Sequence, residues 1–166
     1  ALDICRESGG KFDITVAPIT SLWNFSSESP VVPDKAALAE AVTHVGYDKL
    51  EIDGDRVRLT DPAAGVDLGG VAKGYIADRL REYLVSQKVS GALIDLGGNV
   101  LAVGDKQGEA FRVGIRDPQD SAALAATVAV RDRSVVTSGS YERGFTQDGV
   151  YYHHILDPAS GYPVKN

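Results

Sequence analysis

The sequence predicts a single domain of mixed helix and strand, and three observations carry that reading. Its 166 residues are 43% hydrophobic, enough for one buried core without disulfide help. The stretch Leu50-Glu-Ile-Asp-Gly-Asp-Arg-Val-Arg-Leu59 alternates apolar and polar residues about an Asp53-Gly54 turn, which is a hairpin signature. Behind a glycine-rich start, Ile76, Leu80, Tyr83 and Leu84 recur at the spacing of one helical face.

The elements follow in order. A helix over residues 1–7 ends at Ser8-Gly9-Gly10, where glycines supply a left-handed cap. Residues 11–16 read as extended chain, with Pro18 beyond them. Trp23 and Phe25 have two readings, core filling or a wall for a flat ligand. Pro33-Asp34 starts a helix to about Thr43, with Asp34 as its cap and Leu38, Ala41, Val42 and Val45 at helical spacing. The hairpin at 50–59 comes next, its charges facing solvent, then the turn residues Asp61-Pro62.

Residues 66–78 are predicted as a short strand, a two-glycine turn and a helix start, continuing through Leu84. Residues 93–104 contain the same Asp-Leu-Gly-Gly tetrapeptide but read as strand, glycine bend, strand; the shared tetrapeptide hints at an internal duplication. Residues 111–116 and 124–130 are strands, and Ser134 opens a short one leading to two hydroxyls that flank Gly139. From Val150 a last strand runs into a polar turn that ends at Pro163.

With 23 acidic and 17 basic residues, the formal net charge of -6 argues against general attraction to nucleic acid or anionic membrane, so a positive site has to be local. The single Cys5 has no internal partner and reads as a partly buried thiol. No apolar run is long enough to span a membrane, and the N-terminus lacks the regions of a signal peptide. Both ends read as cut, which predicts a fragment of a longer protein.

Chemistry concentrates at the glycines. Gly65, Gly69 and Gly70 permit a tight reversal and close backbone approach, and the helix behind them begins with unpaired N–H groups that favour an anion. Lys73, one turn in, adds a positive charge, so phosphate is the first ligand to consider. A Walker loop is excluded because Lys73 precedes Gly74 and no Ser or Thr follows; a GxGxxG pattern is absent too. Asp67, Lys73, Asp95, Thr137, Ser138, His154 and Asp157 all lie at strand ends or in glycine turns, where sites in sheet proteins are built. His153 and His154 point to opposite faces of a strand, so at most one looks into a given cleft. Adjacent histidines and the lack of HExxH or paired CxxC argue against zinc, whereas Mg²⁺ beside a phosphate needs only a few protein oxygens.

Five blocks occur in one order: Gly10-Lys-Phe-Asp-Ile-Thr-Val-Ala-Pro18 with Leu22-Trp23, Asp67-Leu-Gly-Gly-Val-Ala-Lys-Gly74, Asp95-Leu-Gly-Gly-Asn99, Thr137-Ser-Gly-Ser-Tyr-Glu-Arg143, and His154-Ile-Leu-Asp-Pro-Ala-Ser-Gly161. Together they closely resemble the motifs of the ApbE family, the FAD:protein FMN transferases once called thiamine biosynthesis lipoproteins. The resemblance covers nearly the whole chain and implies a T-fold-like α+β architecture, largely antiparallel sheet with packed helices, of which residues 1–166 are the core of a single catalytic domain. It implies a bacterial enzyme at the periplasmic face of the inner membrane, lipid-anchored in the full-length protein. Such an enzyme binds FAD and Mg²⁺ and moves FMN to a Thr or Ser hydroxyl of a target flavoprotein subunit in an electron-transport or sodium-pumping complex, releasing AMP. Two alternatives stay open, an FAD pyrophosphatase using water as acceptor and a flavin-binding module without chemistry.

Carried over by motif, Lys11, Phe12 and Asp13 lie along the FAD, Asp67 and Lys73 hold it, the Gly70 carbonyl is a metal ligand, and His154 faces the nucleotide. Breaking a pyrophosphate calls for charge stabilisation at the phosphates and a base for the attacking hydroxyl, and His154 is the expected base. Asp157 either orients that histidine or forms the turn before Pro158, with the turn favoured. The family's side-chain metal ligands, an Asp and a Thr four residues later, come from a helix beyond the His-Ile-Leu-Asp-Pro turn, and this chain ends before it. The family's N-terminal segment is missing as well, and position 160 is Ser where Thr is common.

Overall fold

The computed structural model describes residues 1–120 and 122–165. Helices α1 (Leu2–Glu7), α2 (Ala17–Trp23) and α3 (Lys35–Thr43) come first, then strands β1 (Leu50–Asp53) and β2 (Arg56–Leu59) and helix α4 (Gly69–Ser86). Strands β3 (Gly91–Asp95), β4 (Asn99–Gly104), β5 (Phe111–Arg116), β6 (Leu124–Val130), β7 (Ser134–Val136), β8 (Gly144–Gln147) and β9 (Val150–His153) follow. Among the described residues every strand pair is antiparallel, which makes this an α+β fold with helices packed on hairpin-built sheets. The chain divides into two compact units, Ala1–Gly70 with Ser140–Asn166, and Val71–Gly139.

In the first unit, local chemistry sets the helix ends. Gly9 and Gly10 follow α1 with φ of +62° and +78°, as a glycine cap requires. The Asp34 carboxylate accepts the N–H groups of Ala36 and Ala37 at 2.9 and 3.0 Å and so starts α3. Helix α2 is an element that the motif reading passed over. Pro18 stands in its first turn, where a missing N–H costs nothing, and Asn24 closes it in the left-handed conformation.

Residues 11–16 are a folded turn and not extended chain. Asp13 is 6% exposed, and its Oδ1 accepts both the N–H and the Oγ1–H of Thr15 while Oδ2 accepts the N–H of Tyr47. That pull toward its own backbone overrides the β-branched propensity of the segment. The predicted strand at 66–68 is likewise absent: Asp67 N–H donates to Ile14 O at 2.7 Å, and Val16 pairs with Gly65 in an isolated parallel bridge.

The core of this unit is aromatic. Trp23, fully buried, stacks on Phe25 with ring centroids 5.5 Å apart and meets Phe145, Tyr152 and Tyr162 around it. Its indole N–H donates to the Gly161 carbonyl at 2.7 Å. Core filling is therefore the role of Trp23. Gly161 has φ +74°, and a Cβ there would lie 2.9 Å from Leu38 Cδ1. Strand β8, unanticipated, is joined to β9 by Asp148-Gly149 with φ of +50° and +77°, the two-residue turn whose twist suits a hairpin.

The second unit is layered. Leu101 and Val103 of β4 pack with Ala77 of α4, while Ala102 between them packs with Val113 and Val130 of the β5–β6 pair. Successive side chains leave a strand on opposite faces, so β4, at the centre of the order β3-β4-β7, is covered on both. The packed face of α4 is not the predicted apolar stripe. Ala77 is the buried residue, its small side chain allowing close approach to β4, while Ile76, Leu80 and Tyr83 are 47%, 39% and 61% exposed.

The two Asp-Leu-Gly-Gly copies fold differently, which removes the duplication hint. Gly69 and Gly70 lie inside the first turn of α4 without positive φ, whereas Gly97 and Gly98 have φ of +64° and +85° in a true bend between β3 and β4. What Gly70 provides is space, since a Cβ on it would sit 2.7 Å from the Phe12 ring.

Candidate active site

Within the first unit, Thr20, Ser21, Asn24, Phe25, Ser26, Asp67, Arg143 and His154 line an open pocket of about 260 Å³. Helix α2 supplies Thr20 and Ser21, its cap residue supplies Asn24, the loop after it supplies Phe25 and Ser26, and the open end of the β8–β9 hairpin supplies Arg143 and His154. Phe25 stacks on Trp23, which is its core-filling role, and it also lines this pocket. At this volume the pocket is at the small end for ligand sites and suits part of a dinucleotide.

The hairpin register sorts the two histidines. Gly144 pairs with His153, which places Arg143 opposite His154 one step beyond the strands. His153 is buried, with Nε2 on Val164 O at 3.1 Å and Nδ1 accepting the Ile155 N–H, so both ring nitrogens are committed to the fold. His154 lies on the other side. Its backbone N–H and its Nδ1 both meet the Arg143 carbonyl, at 3.1 and 3.2 Å. A carbonyl only accepts, so the neutral imidazole carries its proton on Nδ1 and keeps the Nε2 lone pair for another partner. Asp157 does not orient it. The Asp157 carboxylate accepts Ala159 N–H and Ser160 Oγ–H, and its carbonyl accepts Gly161 N–H, which makes it the turn-former.

Of the residues expected at a ligand, the pocket brings together Asp67 and His154. Asp67 Oδ1 accepts the Gly69 N–H at 2.8 Å, tying the carboxylate to the start of α4. Lys11 is exposed on its loop, and the half-buried Phe12 ring rests against Gly70. Asp13 is placed inside the loop, its oxygens spent on backbone and Thr15, so its part is to hold the Phe12 turn against Gly46-Tyr47. In the second unit Lys73 Nζ donates to Gly97 O at 2.9 Å, and Asp95 Oδ1 accepts Gly98 N–H, so the helix and the second glycine bend are joined there. Thr137 and Ser138 are exposed. Arg143 was visible in the fourth block but carried no site role by spacing; only the hairpin pairing brings it to His154.

Among the described residues no group of three or more His, Cys, Asp or Glu side chains is arranged to hold an ion. Gly70 is the second residue of α4, and a carbonyl there serves the helix ladder with one lone pair to spare.

Fold and pocket together define an α+β protein with a histidine-bearing polar pocket at a hairpin end. The chain belongs to the ApbE family, whose family model matches residues 1–166. It is 41% identical to an FAD:protein FMN transferase of Klebsiella pneumoniae, over 100% of this chain and 51% of that protein. It is also 39% identical to an FAD:protein FMN transferase of Treponema pallidum, over 99% of this chain and 50% of that protein. The crystal structure of an ApbE protein from Thermotoga maritima superposes with a TM-score of 0.90 at 36% identity, covering 99% of this chain and 55% of that one. The chain spans about half the length of the curated relatives it matches.

Proposed function

We propose that this chain forms the catalytic core of an FAD:protein FMN transferase. The observation that carries the reading is the His154 imidazole, held through Nδ1 by the Arg143 carbonyl with Nε2 left to serve as a base in a pocket it shares with Asp67. A Ser or Thr hydroxyl of the acceptor protein gives its proton to Nε2 as its oxygen attacks the phosphorus on the FMN side of FAD. A phosphoester bond forms, the pyrophosphate P–O bond breaks, and AMP leaves with the bridging oxygen. Asp67 and Lys73, with Lys11 and Phe12 along the flavin nucleotide, are the proposed binding residues, and Asp13 keeps the Phe12 turn in shape. Mg²⁺, with the Gly70 carbonyl as one oxygen ligand, would offset charge on the phosphate oxygens. The family resemblance further supports a lipid-anchored enzyme on the periplasmic face of the bacterial inner membrane, acting on a subunit of an electron-transport or sodium-pumping complex.

The test is to incubate the complete protein with FAD, Mg²⁺ and a Ser/Thr acceptor protein. Covalent flavin fluorescence on the acceptor with stoichiometric AMP is expected, and His154→Asn should slow it about 10²–10⁴-fold. AMP release that an acceptor does not change would replace transfer by FAD hydrolysis, and FAD binding without AMP would leave a flavin-binding module.

A further inference from the structure

We infer that Arg143 is a second functional residue of this pocket, a phosphate-binding cation whose main chain also sets the state of the base; the inference rests on the transferase reading and deepens it. The β8–β9 hairpin places Arg143 directly opposite His154. In an antiparallel pair the side chains of facing residues leave on the same side of the ribbon, with Cβ atoms about 5 Å apart. Both side chains accordingly line the same pocket.

Its guanidinium is free to take a ligand. Among the described residues no carboxylate lies within 4.0 Å of it, although seven ion pairs occur elsewhere. Asp67, the carboxylate of the pocket, has one oxygen engaged by the Gly69 N–H. A guanidinium presents a planar fork of donors that matches two oxygens of a phosphate, and the pocket's neutral Asn24 and Ser26 add donors around it, whereas the Thr20 and Ser21 hydroxyls donate to the Ala17 and Pro18 carbonyls of their own helix. In a chain of net charge -6, this is a local cation suited to an anionic substrate group.

The two roles of Arg143 are coupled in one residue. The carbonyl accepts Nδ1–H of His154 and so directs the basic Nε2 outward, while the side chain fixes the phosphate that the activated hydroxyl attacks. Base and target are thereby indexed to the same peptide unit. The cation also counters the negative charge that grows on the phosphate oxygens as the P–O bond forms.

The experiment titrates the complete protein with inorganic pyrophosphate and, separately, with FAD, using wild type, Arg143→Gln and Arg143→Lys. Pyrophosphate should bind R143Q at least 10-fold more weakly than wild type, with R143K recovering part of the loss because lysine keeps the charge but not the fork. Nitrogen-15 spectra of the His154 ring should show a protonated Nδ1 in the neutral form of all three, since the carbonyl is main chain. Equal pyrophosphate affinity in wild type and R143Q, or no pyrophosphate binding by wild type, overturns the phosphate role; a neutral His154 protonated on Nε2 overturns the carbonyl role. FMN transfer by wild type with R143Q binding pyrophosphate as well would leave the transferase intact and sink this inference alone.

Discussion

Gly161→Ala tests the architecture beneath the pocket. Two costs add at this position. With φ at +74°, any L side chain pays about 1–2 kcal/mol for the left-handed conformation. The new Cβ would also lie 2.9 and 3.0 Å from Leu38 Cδ1 and Cγ and 3.1 Å from Val42 Cγ2, well inside an ordinary carbon contact of about 3.5–4.0 Å. Overpacking of this kind costs about 1–3 kcal/mol. Gly149→Ala supplies the control: its φ is +77°, and among the described residues nothing lies within 4 Å of a Cβ there. The gain from a stiffer unfolded chain is common to both and cancels. Gly161→Ala is therefore expected to be less stable than Gly149→Ala by about 1–3 kcal/mol. Urea unfolding read by tryptophan fluorescence measures it cleanly, because Trp23 is the only tryptophan and donates its indole N–H to the Gly161 carbonyl. If the two variants agree within about 0.5 kcal/mol, the packing argument at Gly161 is refuted.

Three further outcomes follow from the same geometry. The His44 imidazole is raised above its ordinary 6.5, chiefly by its hydrogen bond to Asp61 against some desolvation, while the Asp61 carboxylate is held well below its ordinary 3.8 by that bond, by the Ala63 N–H and by Lys49. The histidine contribution is complete below pH 6.5 and fades as pH rises through its raised value; the aspartate contribution is complete above 3.8 and fades as pH falls. Thermal midpoints should be highest between those values, and His44→Gln should flatten the alkaline fall, whereas an unchanged alkaline slope would rule the pair out as its source. Lys73→Ala should weaken FAD binding about 10-fold or more, and fluorescence titration giving wild-type affinity would count against a phosphate contact at Lys73. Asp34→Ala should lower stability by about 1 kcal/mol through the lost α3 cap, a cost that urea midpoints would register.

What could be read from the chain divides along physical lines. The Asp34 cap, the Gly9-Gly10 stop and the hairpin at 50–59 were legible because each is decided by neighbours in sequence. The turn at 11–16 was not, because a buried Asp13 reaching Thr15 and Tyr47 outweighs strand propensity, and only the tertiary fold buries it. On α4 the apolar period was real, yet the packed face centres on Ala77, since closeness to β4 favours the smaller side chain. Pro18 ahead of Ile19 and Trp23 was an unread signal for α2, and although Asp148-Gly149 was legible as a turn into β9, the strand leading into it, β8, was not. For the pocket, strand alternation alone separated His153 from His154. Arg143 needed the cross-strand register, which no spacing along the chain contains.

That register has a consequence for how the chemistry is encoded. Side chains on a ribbon change face with every step, so shifting β9 by one residue against β8 would carry His153 outward and bury His154. Asp148-Gly149, at the opposite end of the hairpin from the pocket, is what forbids the slip, because both its residues adopt left-handed angles that suit a two-residue loop. An insertion in that turn would therefore exchange one imidazole for the other at the pocket while leaving every residue of the proposed site in the sequence, a misalignment that no inspection of the five blocks would reveal.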